Sequence, residues 1–102
     1  MSEKFEGIQN PEQMKPTSFA DLENKENVTA EELKETLRDY AYGAAINAGV
    51  VNSIIDRTEL SPEDLQELRQ SAQRGAEIQR GHRFPSEEKE YKKVIVHIDS
   101  KK

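Results

Sequence analysis

Few side chains in this 102-residue sequence are suited to covalent chemistry. His82 and His97 are the two histidines, and neither shares a helical face with a carboxylate. No cysteine is present, which removes a thiolate nucleophile, a disulfide framework and a cysteine metal site. Ser53, Ser61, Ser71 and Ser86 lack the glycine context of a nucleophile elbow, and no Ser-His-acid order stands out. Glu31, Glu35 and Asp39 recur at i, i+4 and i+8, the spacing of a solvated helix face rather than of a general acid–base pair. Gly43 and Gly49 sit inside an amphipathic pattern without the Lys-Ser/Thr of a phosphate-binding loop. The expectation is a protein with no catalytic residue, no metal and no cofactor.

Binding chemistry is better represented. Arg69, Arg74, Arg80 and Arg83, with His82, stand against Glu77 alone between residues 69 and 83. The planar guanidinium fork suits phosphate, so these residues form a candidate anion site for a phosphorylated ligand, a nucleotide or RNA. A helix-turn-helix alignment over residues 41–60 puts Ala45, Gly49, Val50 and Ile55 at its small, turn and core positions. The would-be recognition stretch, however, carries a single base, which leaves little of the phosphate attraction that DNA binding needs. Conversely, Glu31, Glu35 and Asp39, with Asp21, Glu23 and Glu26, could mimic a nucleic-acid backbone on a basic target.

Charge is polarised. Residues 1–68 hold 6 Lys/Arg and 15 Asp/Glu, whereas residues 69–102 hold 9 and 5. Such a split steers partners or favours head-to-tail association. Apolar content of 33% and charged content of 34% exclude a large enzyme with a deep core. There is no long apolar run, so no membrane span is expected. The first residues lack the apolar stretch of a signal peptide, and with no cysteine the chain reads as cytoplasmic. Small, acidic, cysteine-free helical chains are common among accessory and inhibitor proteins of phages, an association of composition alone.

Positioning these residues falls to helices. Residues 1–16, with Pro11 and Pro16, show no period and read as a flexible arm. A helical domain is expected over 17–84 and a tail over 85–102. Thr17 or Ser18 caps a short helix to about Lys25. Thr29 to Glu32 fits a capping box. Leu33, Leu37, Tyr40, Ala44, Ala48, Val51 and Ile55 then fall within about 80° of arc, which predicts one long helix over about 30–57. Ser61-Pro62-Glu63-Asp64 opens a second helix over about 62–81, ending near Gly81. The short link between the two predicts an antiparallel hairpin. Val94, Val96 and Ile98 alternate as in a strand, while Tyr91, Val94, Ile95 and Ile98 fit a helical stripe. The β-branched run favours a single strand over 91–99, with a helix as the alternative.

On an unbroken 30–57 helix, Tyr42, Ile46 and Val50 point away from the first stripe, flanked by Ala45 and Gly49. A helix apolar on both sides must be covered on both sides, and one short partner helix cannot do this. The sequence therefore predicts a mainly α, helical-bundle protein that self-associates through Tyr42, Ile46, Val50, Ala45 and Gly49. Its expected role is non-enzymatic: occupying a protein partner as an inhibitor or adaptor. Anion, nucleotide or RNA binding through the arginines is the alternative.

Overall fold

A computed structural model describes residues 18–102, and among these the chain is helical without a strand. The 1–16 arm lies outside the described residues. Five helices follow in order: α1 (Phe19–Asn24), α2 (Ala30–Tyr40), α3 (Ala48–Arg57), α4 (Pro62–Gly81) and α5 (Pro85–Asp99). Three starts fall where the sequence marks them. Ser18 with Asp21, Thr29 with Glu32 and Ser61 with Asp64 each form a reciprocal capping box. Pro62 takes the first position of α4, where its missing N–H costs nothing.

The expected helix over 30–57 is not continuous. It stops at Tyr40, runs through a turn over residues 41–47, and restarts as α3 under an Asn47 cap whose side chain accepts from the Val50 amide at 3.2 Å. Gly43 has φ 147°, a conformation that side chains disfavour. The break is sustained from α5. Tyr91 Oη lies 2.8 Å from the Tyr40 carbonyl oxygen and 2.7 Å from that of Ala44, while Glu90 Oε1 accepts from the Ala48 amide at 2.8 Å. The Ala44 carbonyl and the Ala48 amide, which would pair with each other in a continuous helix, are satisfied from α5, while the Tyr40 carbonyl also keeps its bond from the Ala44 amide at 2.8 Å.

The expected C-terminal strand is a helix, α5. A lone strand has no ladder partner, whereas a helix pairs its own backbone groups. The helical register also puts Tyr91, Val94 and Ile98 on one side, all fully buried. Burying three such side chains is worth several kcal/mol at ~25 cal/mol per Å², against a few tenths for each β-branched residue's helix propensity. The expected hairpin of 30–57 with 62–81 is replaced by a different one. The close antiparallel pair is α4 with α5, joined through residues 82–84 and tied by Arg69–Asp99 at 2.8 Å and Arg80–Glu88 at 3.0 Å. Alongside α4 runs α2 in the same direction, held by Lys34 to Asp64 at 2.8 Å near their starts. α3 packs on α5, and α1 on α3.

One core joins all five helices, with Leu22, Leu33, Leu37, Val51, Ile54, Leu68, Tyr91, Val94 and Ile98 fully buried. Gly75 lies against the Tyr91 ring so closely that a Cβ there would overlap its edge. Arg57 donates to the Glu23 carbonyl at 3.0 Å and also to that of Lys25, which ties the end of α1 to the end of α3.

Candidate docking surface

Breaking the middle helix disperses the second apolar face. Ile46 is 7% exposed and joins the core, Val50 is half-buried against it, and Ala45 and Gly49 are exposed. Tyr42 is 65% exposed, on the 41–47 connection, with the Arg74 guanidinium 5.7 Å from its ring centroid. The three residues share no helical face. Gly49 lies in the first turn of α3 rather than at a turn between helices, so the helix-turn-helix alignment over 41–60 has no counterpart in the fold.

The four arginines are also divided. Arg69 and Arg80 are held by Asp99 and Glu88 in the α4–α5 pair. Arg69 holds the Asp99 carboxyl below the usual carboxylate range; Lys92 first and Arg80 second do so for Glu88. Arg74 stacks over Tyr42, and Arg83 sits in the turn between α4 and α5. His82, beside it, meets the Phe84 ring edge-on with centroids 6.2 Å apart.

That turn is a Schellman-type end to α4. The Phe84 amide donates to the Gln79 carbonyl at 2.9 Å and the Arg83 amide to that of Arg80 at 3.0 Å. The left-handed position falls on Arg83, with φ 64°, two residues beyond the expected Gly81. Glycine normally fills this position, because a Cβ costs roughly 1 kcal/mol or more there. α5 then begins without a side-chain cap, unlike α1 to α4, so its first-turn amides add partial positive charge.

Between the 41–47 connection and this turn lies a notch of about 400 Å³ with a mainly apolar lining. Gly43 and Ala45 come from the connection, Gln79 from α4, and residues 84–87 from the start of α5. Phe84 is 54% exposed at the notch, and Tyr42 precedes the lining residue Gly43 in the chain. Of the three large hydrophobic side chains exposed among the described residues, Phe84 lines this concavity, Tyr42 neighbours its lining residue Gly43 in the chain, and Val96 lies on the outer side of α5.

The remaining chemistry-bearing residues do not converge. Glu31, Glu35 and Asp39 lie exposed along α2, as their spacing implied. Among the described residues no three His, Asp or Glu side chains could hold a metal ion, and no helix is long and apolar enough to cross a membrane. One cluster escaped the sequence reading: His97 Nε2 and Lys101 Nζ approach the same Asp56 oxygen at 2.8 and 2.7 Å. Lys101 first and His97 second hold the Asp56 carboxyl below its ordinary range. The nearby Ser100 hydroxyl is occupied by the His97 carbonyl at 2.6 Å, so the group ties α3 to α5 without an activated nucleophile.

No family model, curated protein or solved structure matches this chain. Phe84, Pro85 and Gln79 were missed as site residues. The available signal was the Phe84-Pro85 pair, an aromatic residue followed by a helix-starting proline in a short interhelical turn.

Proposed function

We propose that this chain is a non-enzymatic binding protein that acts by occupying a macromolecular partner through the notch between residues 41–47 and 82–87. The observation that carries this reading is Phe84, largely exposed where it lines an apolar concavity, with the exposed Tyr42 next in the chain to Gly43 of the same lining. Tyrosine and arginine are enriched among the residues that dominate interface energetics, and Arg74 already lies over Tyr42. Completing the burial of two aromatic side chains is worth several kcal/mol in all at ~25 cal/mol per Å².

Partner binding draws more support than self-association. Of the expected self-association trio only Tyr42 remains exposed, while Ile46 is covered by the chain's own helices. Anion binding by the full arginine set draws less support, because Arg69 and Arg80 are engaged by carboxylates.

A photo-crosslinking amino acid at position 42, compared with one at Glu63 on the exposed start of α4, tests this reading in extracts of the source cells. The expected result is a defined adduct from position 42 alone. Identical adducts from both positions, or none from position 42, would contradict it.

A further inference from the structure

Two acceptors in the lining of the notch are left unengaged by the fold. Gln79 lines it while being only 1% exposed. Its side-chain amide nitrogen donates to the Ala44 carbonyl at 3.4 Å, but its side-chain oxygen accepts no hydrogen bond among the described residues. A buried acceptor without a donor costs stability, and a donor entering the notch removes that cost.

Glu87, in the first turn of α5, is the charged residue of the lining, and it forms no ion pair among the described residues. Its neighbours differ. Glu88 is held by Arg80 and Lys92, and Glu90 by the Ala48 amide and Lys93. Arg74 and Arg83 lie outside the lining. The positive end of α5 amounts to about half a charge, against the full charge of Glu87. An apolar wall, an unbonded carbonyl oxygen and an unpaired carboxylate thus share one concavity.

Resting on the docking reading above, we infer that the notch takes an arginine side chain from a basic segment of a partner protein. The apolar stem lies along Ala45 and Pro85, the guanidinium plane meets the Phe84 ring, and its N–H groups donate to Glu87 and Gln79. A planar fork serves two acceptors while stacking on a ring, which the compact, strongly hydrated ammonium of lysine does not. An acidic segment would set carboxylates against Glu87, and a wholly aliphatic one would bury both acceptors unpaired. The chain's net charge of −5 also favours the approach of a basic partner.

The test titrates an end-blocked peptide, Ala-Leu-Arg-Leu-Ala, into the isotope-labelled full chain and follows amide NMR shifts. Controls replace its arginine by citrulline, which keeps the shape and removes the charge, or by Glu. The arginine peptide is expected to shift amides at residues 43–45 and 84–87 and the side-chain amide of Gln79, more weakly at high salt. Both controls are expected to bind about tenfold more weakly or worse. Glu87→Gln should weaken the arginine peptide about tenfold at unchanged helicity. Phe84→Leu, which keeps an apolar wall without a ring, should weaken it about threefold. The citrulline control needs no variant, so the test stands even where a substitution disturbs folding. Equal binding to the parent and to a folded Glu87→Gln, or an arginine peptide that shifts nothing, overturns the inference. A citrulline peptide that shifts the same amides equally well overturns the cationic occupant but leaves the docking surface standing. Shifts from every peptide confined to other surfaces overturn both.

Discussion

Ala44 and Ala48, the i and i+4 partners of a continuous helix, each bond to α5 instead. The Ala44 carbonyl lies 2.7 Å from Tyr91 Oη, and the Ala48 amide donates to Glu90 at 2.8 Å. Two adjacent residues of α5 thus hold open the turn that carries Tyr42 and one side of the notch. The Ala48 amide, and Lys93 after it, keep the Glu90 carboxyl below its ordinary range. Burial pushes the Tyr91 phenol well up, so it remains a hydrogen-bond donor at all ordinary pH.

Removing either partner should therefore weaken the fold through the 41–47 turn. Tyr91→Phe keeps the ring packing and deletes the hydroxyl, with an expected loss of about 1–2 kcal/mol in urea unfolding. Glu90→Ala leaves the Ala48 amide without its acceptor and should cost a similar amount. Because both act on one turn, the double variant should fall short of the sum of the two losses.

Gly75→Ala probes the other side of the same ring. An added Cβ overlaps the Tyr91 ring edge, and the buried ring must move to admit it. Overpacking of this kind costs about 1–3 kcal/mol, which outweighs the gain in helix propensity of up to ~1 kcal/mol. Chemical denaturation of Gly75→Ala should show a net loss; a gain would mean that the α4–α5 packing differs.

Tyr42 and Ile46, which the sequence alone puts on one face, should respond differently to substitution. Ile46→Asp buries a carboxylate in the core and should destabilise by several kcal/mol. Tyr42→Ala removes an exposed ring and should change stability by no more than about 0.5 kcal/mol. Thermal melts of the two variants side by side read this difference directly.

Acid should weaken the fold through its paired carboxylates. Lys34 first, and the Ser61 amide second, lower Asp64 from 3.8 to about 2. A depressed folded-state value means that its contribution is complete above the unfolded value of 3.8 and is lost as pH falls towards 2. Asp56, Glu88 and Asp99 are shifted in the same direction. Urea midpoints should hold above pH 5 and drop below pH 4, and Asp64→Asn should flatten part of that drop.

What could be read in the sequence was local. Ser18, Thr29 and Ser61 mark helix starts because a cap needs only the residues three positions on. The stop at Tyr40 was hidden, since the apolar stripe runs on through Ala44 and Ala48 while the groups that interrupt it lie more than forty residues away. Val94, Ile95 and Val96 carry the local preference of a strand, which the burial of Tyr91, Val94 and Ile98 overrode. The notch was legible only in halves. Ala45 stood out as an apolar contact, but Gln79, Phe84 and Pro85 join it on one surface only because of where α5 begins.

The most direct measurement is binding by Tyr42→Ser/Phe84→Ser to the protein crosslinked from position 42, alongside circular dichroism of the free variant. Both side chains are exposed, so helicity and melting temperature should stay close to those of the parent, while affinity should fall at least tenfold. Undiminished affinity in a folded double variant would contradict the assignment of this surface.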